Sequence, residues 1–396
     1  MKELNVWYQG GNSPQLVGQL ALYKHRVAFE YHSAFLQTGI ELSPFLVPAK
    51  PGVLIPESQP WGGLAGLFND SLPDGWGLLL MDRHLKSLGI DMRKITPLDR
   101  LAYIGDRGLG ALTYEPVSQE NLKPFDIDLT SVARSANEIY EGETSQQLAI
   151  ISKIGGSPGG ARPKVLVHLK GDHLISGDEN APEGYEPWII KFFAKNESPD
   201  TGRIEFAYSL MAKDAGIDMP ETRIFEDKDG NTWFGIKRFD RNGAQRIHMH
   251  TLGGLVGADF RMPSIDYTDV LKATRELTRN QKDVKQMFKV MVFNVLAKNR
   301  DDHSKNFSFL MDADGHWRVS PAYDLTLSKG MAGEHTTSIA GEGIHPTKEH
   351  MLKVGEQVDL SLKDMNSIIG KVEAAVAQWT KWCKKTGVKS APNILG

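Results

Sequence analysis

The sequence lacks most features that mark secreted, membrane-spanning or strongly nucleic-acid-binding proteins. Only one of its 396 residues is a cysteine, Cys383, which excludes an internal disulfide framework and any zinc site built on cysteines. No apolar run approaches the roughly 20 residues that cross a bilayer. The segment from Met1 to Asn5 has none of the apolar character of a signal peptide. We therefore expect a cytoplasmic protein without membrane association.

Net charge and composition are those of an ordinary globular protein. The formal net charge of −3 offers no large electrostatic surface for nucleic acid. Apolar residues make up 40% of the chain and charged residues 24%, which suits a substantial core. The length allows two or three domains.

Turn signals and hydrophobic periodicity predict three domains, at residues 1–115, 124–245 and 246–396. The first reads as an α+β unit and the second as strand-rich around a Gly-rich loop. The third reads as mainly helical. The polar stretch 116–123 is interpreted as a linker.

Several helices and hairpins are specific enough to be tested. Asp128 is expected to cap a helix through Tyr140, and Ser361 to cap one final helix through Trp382. The periodicity predicts a helix over 201–215, with Asp200 or Thr201 as its N-cap. Hairpins are predicted around residues 228–230 and 312–315.

The run from Asn299 to Asn306 carries the strongest chemical signal. It holds Asp301 and Asn306 five residues apart, and Asp324 follows downstream. Phosphoryl transfer from ATP uses one carboxylate to orient the attacking hydroxyl, and an Asn plus a second Asp to hold Mg²⁺. The pattern therefore predicts a kinase-type site, with Asp301 as base and Asn306 and Asp324 as metal ligands.

Other readings of these residues stay open. Asp301 beside Asp302 could cap a turn, as adjacent acidic residues often do. His303 and Lys305 could contact the transferred phosphate or be structural.

The Gly-rich stretch 155–164 and the strand that ends at Lys191 predict a phosphate-binding region. Glycines allow backbone N–H groups to approach phosphates closely, and a Lys on a strand suits a fixed charge on ATP. Lys191 could equally be a surface lysine. Glu205, on the following helix, is its expected ion-pair partner. The alternative is that this glutamate only stabilises the helix through its interaction with the helix dipole. Ser157 could be a phosphoacceptor or a plain turn serine.

Several motifs, spread over nearly the whole chain, resemble those of the HipA-type toxin kinases of bacterial toxin–antitoxin systems and occur in the same order as in that family. The matching segments are Leu72–Gly77, Gly159–Lys164, Ile189–Lys191, Lys237–Arg241, Asp301–Ser308 and Tyr323–Leu325. The chain departs from the usual pattern at Arg162 and Pro163, before Lys164, and at Lys237.

This resemblance implies an α+β, bilobed protein-kinase-like fold with an added N-terminal α+β subdomain. It implies a serine/threonine protein kinase that uses ATP and Mg²⁺, with Asp301 as base and Lys191 on phosphate. Asn306 and Asp324 would then hold the metal. The implied nucleotide-binding set is Gly156, Ser157, Gly159, Gly160, Ala161, Lys164, Lys191, Glu205 and Phe239.

The resemblance also implies partners and regulation. Ser157 lies where such kinases phosphorylate themselves and so lose activity. The usual partner is a helix-turn-helix antitoxin of the HipB type that binds operator DNA. Targets in the family include aminoacyl-tRNA synthetases, whose inhibition halts translation and favours dormancy.

Two other functions remain open at this point. Small-molecule kinases also use Asp-x-x-x-x-Asn loops, so the hydroxyl acceptor could be a small alcohol. A catalytically silent co-repressor is the non-enzymatic alternative, although its acidic and amide positions are intact.

Overall fold

The structure is a computed structural model that describes residues 1–56, 60–118, 123–143, 145–155, 159–177, 180–194 and 197–394. Its strands are β1 Glu3–Tyr8, β2 Gln15–Tyr23, β3 Arg26–Tyr31, β4 Val53–Leu54, β5 Leu112–Glu115, β6 Lys164–Lys170, β7 His173–Ser176, β8 Glu186–Lys191, β9 Thr222–Glu226, β10 Thr232–Lys237, β11 Arg241–Asn242, β12 Gln245–Arg246, β13 His248–Thr251, β14 Ile265–Asp266, β15 Ser308–Met311, β16 Trp317–Val319 and β17 Thr337–Ser338.

The helices complete the secondary structure. They are α1 Ser33–Leu36, α2 Gly66–Asn69, α3 Gly75–Ser87, α4 Pro97–Ile104, α5 Leu129–Glu141, α6 Leu148–Ile154, α7 Thr201–Asp214, α8 Leu252–Val256, α9 Tyr267–Thr278, α10 Gln281–Leu296, α11 Lys348–Glu356, α12 Leu362–Val376 and α13 Trp379–Thr386, with short 3₁₀ turns at Met92–Lys94, Ser304–Asn306 and Met331–Gly333.

The chain forms two compact units. The first comprises residues 1–199, 225–250 and 311–315. The second comprises residues 200–224, 251–310 and 316–396. The three domain ranges expected from the sequence stay predictions.

The first unit begins with an antiparallel sheet in the order β4-β3-β2-β1-β5. Side chains of β1 alternate between solvent and core, so that Leu4, Val6 and Tyr8 are buried. This period of two is what a strand with one covered face requires. Helix α4 packs on β1 and β2, and Thr96 caps its N-terminus in a capping box with Asp99.

A second sheet of the first unit has the order β7-β6-β8-β10-β9. Strand β6 is buried along almost its whole length, as expected for a strand covered on both faces. Trp76 and Leu80 of α3 belong to the same core cluster as Val165, Trp188 and Ile190 of this sheet. Helix α3, which precedes both strands by many residues, therefore packs into the core of the second sheet.

The second unit is mainly helical. Helix α10 buries the predicted positions Val284, Met287, Phe288 and Met291, and it packs against α9 and α12. Val295 and Leu296, which the sequence placed on the same stripe, are only half-buried. Strands β15 and β16 pair as the predicted hairpin, and its turn at residues 312–315 belongs to the segment 311–315 of the first unit.

The final helix predicted from Ser361 to Trp382 is wrong in length, because the structure has two helices. Ser361 does cap α12, accepting a bond from the Asp364 N–H, but α12 ends at Val376. Gln378 N–H bonds to the carbonyl of Ala375 at 3.2 Å, so the chain tightens and turns before α13. The turn places the Trp379 ring edge-on to Tyr208, 5.2 Å between centroids. No helix in the described part of the chain is both long and apolar enough to span a bilayer.

Candidate catalytic site

The predicted catalytic loop follows directly after α10. Lys298 adopts a left-handed conformation with φ of 56°, which ends the helical path. Asp301 is exposed, and the side-chain amide of Asn306 donates a hydrogen bond to the Asp301 carbonyl at 2.6 Å. This bond closes the loop and holds the two predicted functional residues on one short, ordered segment.

Tyr323 connects the segment of Asp324 to the same loop. Its hydroxyl donates to the Lys305 carbonyl at 2.6 Å and shares a short hydrogen bond with the Ser308 hydroxyl. The adjacent residue, Asp324, has φ of 53°, a conformation that costs a non-glycine residue about 1 kcal/mol or more. The backbone at Asp324 is thus held in an unusual conformation beside an anchored neighbour.

His303 and Lys305 both face one aromatic ring. The Lys305 Nζ lies 4.8 Å from the centre of the Phe260 ring, and the His303 ring lies 5.5 Å from it. Arg261 approaches the same ring at 4.5 Å. Cation–π contacts of this kind restrict long side chains, so Phe260 holds a small cluster of cationic and imidazole groups next to Asp301.

The donor set of the predicted metal ligands suits Mg²⁺. The Asn306 amide nitrogen is committed to the Asp301 carbonyl, so the amide oxygen is the atom that this side chain can offer. Asp324 contributes a carboxylate. Mg²⁺ prefers such hard oxygen ligands and keeps several waters, so two protein groups and phosphate oxygens suffice.

Asp302, next to the predicted base, has a different environment. Its side chain is fully buried. One carboxylate oxygen accepts from the Tyr267 hydroxyl at 2.9 Å and from His335 Nδ1 at 2.8 Å. The other accepts from the Thr336 and Thr337 N–H groups at 2.9 and 3.3 Å. Asp302 therefore fixes the segment 335–337 to the catalytic loop.

The bonds around Asp302 continue toward α10. The Asn294 amide donates to the Tyr267 hydroxyl at 2.8 Å, and the Asn299 amide donates to Asn294 at 3.0 Å. Burial, followed by the charge of Asp302, raises the pKa of Tyr267 well above its usual value. Its hydroxyl therefore remains a proton donor, and the network provides a rigid base for the loop.

The described part of the Gly-rich stretch is held by residues of the Leu72–Gly77 motif. The Asp74 carboxylate accepts a short hydrogen bond from the Gly160 N–H, and the Trp76 N–H donates to the Gly160 carbonyl at 3.0 Å. Gly160 has φ of 98°, and a Cβ at Gly159 would lie 3.0 Å from Asp74 Oδ1. The positive φ favours glycine at position 160, and a side chain at position 159 would crowd the Asp74 carboxylate.

Lys164 and Lys191 lie opposite each other on neighbouring strands, as partners in the β6–β8 register. Lys164 is buried, and its Nζ donates to the Gly159 carbonyl. Lys191 is half-buried, with its Nζ 5.6 Å from the Phe234 ring centre. Two lysines in register beside a glycine-rich backbone form a region that suits a polyanion such as triphosphate.

The remaining predicted nucleotide contacts differ in their burial. Ala161 is exposed. Phe239 is half-buried between Arg238 and Asp240 in the sequence. Glu205 is buried on α7, in the second unit, and its pairing with Lys191 stays a prediction. The predicted contacts Gly156 and Ser157 lie outside the described residues.

Sequence reasoning missed the residues that support the site. In the sequence Asp302 is simply the neighbour of Asp301, and its partners Tyr267 and His335 are more than 30 residues away in the chain. Asp74 is the second such residue, and the signal available in the sequence is its position just before the helix that begins at Gly75, where Asp side chains commonly accept from backbone N–H groups.

Two family models together match most of the chain. A model of the HipA-like C-terminal domain matches residues 156–379, and a model of the HipA N-terminal domain matches residues 4–115. The first alone covers more than half of the sequence. Both matches lie in the order that the sequence motifs indicated.

Curated relatives are distant. A protein of Sinorhizobium fredii, described as a candidate kinase, is 24% identical over 417 aligned positions, covering 98% of this chain and 86% of that protein. A Haemophilus influenzae protein with the same description is 26% identical over 186 residues. That match spans 43% of this chain and about half of the relative, 52% of its length.

A solved structure shares the fold. The HipA chain in the Shewanella oneidensis complex of HipA, HipB and operator DNA superposes with a TM-score of 0.71. The match covers 98% of this chain and 92% of that one, at 17% sequence identity. The fold class expected from the sequence, an α+β kinase-like fold with an added N-terminal subdomain, is thereby confirmed.

Proposed function

Since this chain belongs to the family of proteins with a HipA-like C-terminal domain, we propose that it is an ATP-dependent serine/threonine protein kinase. In this proposal it acts in the cytoplasm as the toxin of a toxin–antitoxin system. The relatives from Sinorhizobium fredii and Haemophilus influenzae are both described as candidate kinases, and this supports phosphoryl transfer as the reaction. The residues of the catalytic loop supply the chemistry.

One observation supports the proposal most directly. The Asn306 amide is bonded to the Asp301 carbonyl, while Tyr323 is bonded to the carbonyl of Lys305. The loop from Asp301 to Asn306 therefore carries an exposed carboxylate and an amide oxygen. It is also hydrogen-bonded to Tyr323, the residue before Asp324. These bonds support the proposed roles of Asp301, Asn306 and Asp324, because they hold the three residues on segments that are joined to one another.

Each residue has a role in the proposed transfer. The Asp301 carboxylate accepts a hydrogen bond from the substrate hydroxyl and orients it toward the γ-phosphorus. Asn306 and Asp324 would hold Mg²⁺, which when bound neutralises charge on the phosphate oxygens. Lys305, held against Phe260, presents positive charge to the transferred group, and His303, held against the same ring, offers a ring N–H as a hydrogen-bond donor. Lys164, Lys191 and the Gly-rich backbone hold the remaining phosphates.

Replacing Asp301 with Ala tests the proposal. We expect transfer of ³²P from [γ-³²P]ATP to protein to fall by about 10²–10⁴-fold, the usual range for a group that orients or accepts a proton. Asp314→Ala, which removes an exposed carboxylate from the β15–β16 turn, is the matched control and should retain activity.

The outcomes separate the alternatives. Full activity in Asp301→Ala contradicts the assigned role. Phosphate on alcohols or aminoglycosides, with none on protein, indicates a small-molecule kinase. Failure of the wild-type protein to bind Mg-ATP in calorimetry indicates a silent co-repressor.

The proposed partners follow from the neighbour's complex. The Shewanella oneidensis HipA was solved with HipB and operator DNA, so we propose a helix-turn-helix antitoxin for this chain and, through it, operator DNA. The proposed substrate is a translation-related protein, with aminoacyl-tRNA synthetases as the first to test. A phosphoproteome after brief induction would identify it, and induction without any new phosphosite would contradict the toxin role.

Ser157 is the proposed site of autophosphorylation. Mass spectrometry after incubation with Mg-ATP should find phosphate on the peptide that contains this residue. Ser157→Glu should lower turnover, because a negative charge near the triphosphate repels it. Unchanged turnover in that variant would argue against regulation at Ser157.

A further inference from the structure

Arg300 lies directly before Asp301, the proposed base, and its backbone is bonded on both sides to one later segment of the second unit. The Arg300 N–H donates to the Ser328 carbonyl at 3.3 Å, and the Thr336 N–H donates to the Arg300 carbonyl at 3.1 Å. The Thr336 hydroxyl donates to the same carbonyl at 3.2 Å. Both polar backbone groups of Arg300 are therefore bonded to residues 328–336.

The Arg300 side chain extends this contact along the same segment. Its guanidinium donates to the Gly333 carbonyl and, at 3.2 Å, to the Ile344 carbonyl. The segment also packs closely on Arg300 at Gly330, where a Cβ would lie only 2.9 Å from Arg300 Cβ. Gly330 has φ of 66°, which glycine adopts readily. One arginine thus joins the catalytic loop to several points of the segment 328–344.

The chemistry of arginine suits this arrangement. A guanidinium carries five N–H donors in one fixed plane, so Arg300 bonds to the Gly333 and Ile344 carbonyls at the same time. A lysine ammonium group is a single point charge on a flexible stem. We therefore expect lysine at this position to reach one of the two carbonyls and to replace the contact in part.

The next residue but one fixes the other side of Asp301. The buried carboxylate of Asp302 accepts from the Thr336 and Thr337 N–H groups at 2.9 and 3.3 Å. The backbone before and after the exposed Asp301 is thus bonded to the same segment. A carboxylate that orients a substrate hydroxyl needs such a fixed backbone, because a displacement of about 1 Å can lower the rate about 10²-fold.

We propose that Arg300 is a positioning residue for the phosphoryl transfer proposed above. It holds the backbone before Asp301 on the segment 328–344, as Asp302 holds the backbone after it, and so keeps the Asp301 carboxylate in one place. The catalytic consequence rests on the proposed function. The structural part, the dependence of the loop on Arg300, stands without it.

Hydrogen exchange tests the structural part. In Arg300→Ala we expect faster amide exchange in peptides that cover 298–303 and 328–337, and unchanged exchange in the middle of α12. Arg300→Lys should restore part of the protection, since its ammonium group can donate to one of the two carbonyls. Equal exchange in wild type and Arg300→Ala would overturn the proposal.

Kinetics with Mg-ATP and dephosphorylated casein tests the catalytic part. We expect kcat of Arg300→Ala to fall by about 10- to 100-fold, with the KM for ATP changed by less than about twofold, because the substitution removes no proposed nucleotide contact. Arg300→Lys should recover part of kcat. Lower thermal stability with an unchanged kcat would show that Arg300 is only structural. A rise in the KM for ATP as large as the fall in kcat would show a general loosening of the site, and either result would overturn the assignment.

Two further variants keep the test decisive. Should Arg300→Ala fail to fold, Thr336→Val removes the hydroxyl that bonds to the Arg300 carbonyl and should shift the same two assays in the same direction. Arg203→Ala removes another arginine of the second unit that donates to a backbone carbonyl, that of Gly387 at 2.9 Å, and should change neither assay. A wild-type protein that transfers phosphate neither to casein nor to itself would contradict the proposed function, while the exchange result would still decide whether Arg300 holds the loop.

Discussion

At the residue scale, the adjacent residues Asp301 and Asp302 have carboxylates with different environments and therefore different roles. Asp301 is exposed, whereas Asp302 is 1% exposed and accepts four hydrogen bonds. An exposed carboxylate can meet a substrate hydroxyl. A buried carboxylate that already accepts four hydrogen bonds, such as that of Asp302, stabilises the fold and cannot contact a substrate.

Replacing Asp302 with Ala should destabilise the protein strongly. Four donors, three of them on buried residues, would lose their acceptor, and the free energy of unfolding should fall by about 3–5 kcal/mol. Urea denaturation followed by tryptophan fluorescence measures this loss. Asp301→Ala is the matched control and should change stability by less than about 1 kcal/mol. Equal losses in the two variants would contradict the contrast drawn between them.

The sequence could locate the loop but not what holds it. The five-residue spacing of Asp301 and Asn306 is local and visible, so the candidate residues were found, although their roles stay predictions. The partners of Asp302 lie at residues 267 and 335–337, and their meeting depends on how α9 and the segment after Asp324 pack. Local spacing and periodicity in a single sequence do not predict contacts between residues so far apart in the chain.

At the element scale, the local signals were reliable wherever the stabilising bonds are themselves local. Asp128 caps α5 as predicted, accepting from the N–H groups of Thr130 and Ser131. The break between α12 and α13 could not be predicted, because Ala377 and Gln378 are not helix breakers. The break follows from the packing of Trp379 on Tyr208, a contact between distant parts of the chain.

Two helical glycines allow a matched test of packing between elements. A Cβ at Gly355 on α11 would lie 2.3 Å from Met365 Sδ and 2.9 Å from the Phe288 ring. Gly355→Ala should therefore cost about 1–3 kcal/mol through overpacking. A Cβ at Gly370 on α12 would meet no atom within 4 Å, so Gly370→Ala should gain about 0.5–1 kcal/mol.

Thermal denaturation of both glycine variants checks this prediction. Both substitutions add a methyl group to a helix, at Gly355 in the last turn of α11 and at Gly370 inside α12. Opposite signs of the change in melting temperature would therefore report the difference in packing. Stabilisation by Gly355→Ala would show that α11 can move away from α12 without loss.

At the scale of the whole molecule, buried polar groups join distant segments of the first unit. Asp240 pairs with Arg238 and Arg241 at 2.8 and 2.7 Å and accepts from the Gly110 N–H at 2.8 Å. Although burial alone would raise it, the pKa of Asp240 is held well below its usual range by the two guanidinium groups. Residues from 108 to 110 and from 238 to 241 are thus parts of one buried assembly.

The buried His248 gives the molecule a pH dependence of stability. Burial lowers the pKa of His248 to about 4, whereas an unfolded histidine titrates near 6.5. Between these values the unfolded state binds more protons, so stability falls as pH decreases from about 6.5 to about 4. Between pH 7 and 5 the expected loss from this group is about 2 kcal/mol.

His248→Gln isolates that contribution. The glutamine amide can still donate to the Leu42 carbonyl but does not titrate, so the variant should lose about 2 kcal/mol less than wild type between pH 7 and 5. Urea denaturation at the two pH values gives the comparison. Parallel losses in both proteins would mean that His248 is protonated in the folded state as readily as in the unfolded one.

The single cysteine makes the protein a convenient host for spectroscopic probes. Cys383 is 3% exposed, and burial, together with the charge of Asp200, raises its pKa to about 11. At neutral pH only about one thiol in ten thousand is then the reactive thiolate. A maleimide dye or spin label would therefore attach to a cysteine introduced at an exposed site such as Glu373 on α12, and would leave the native thiol unmodified.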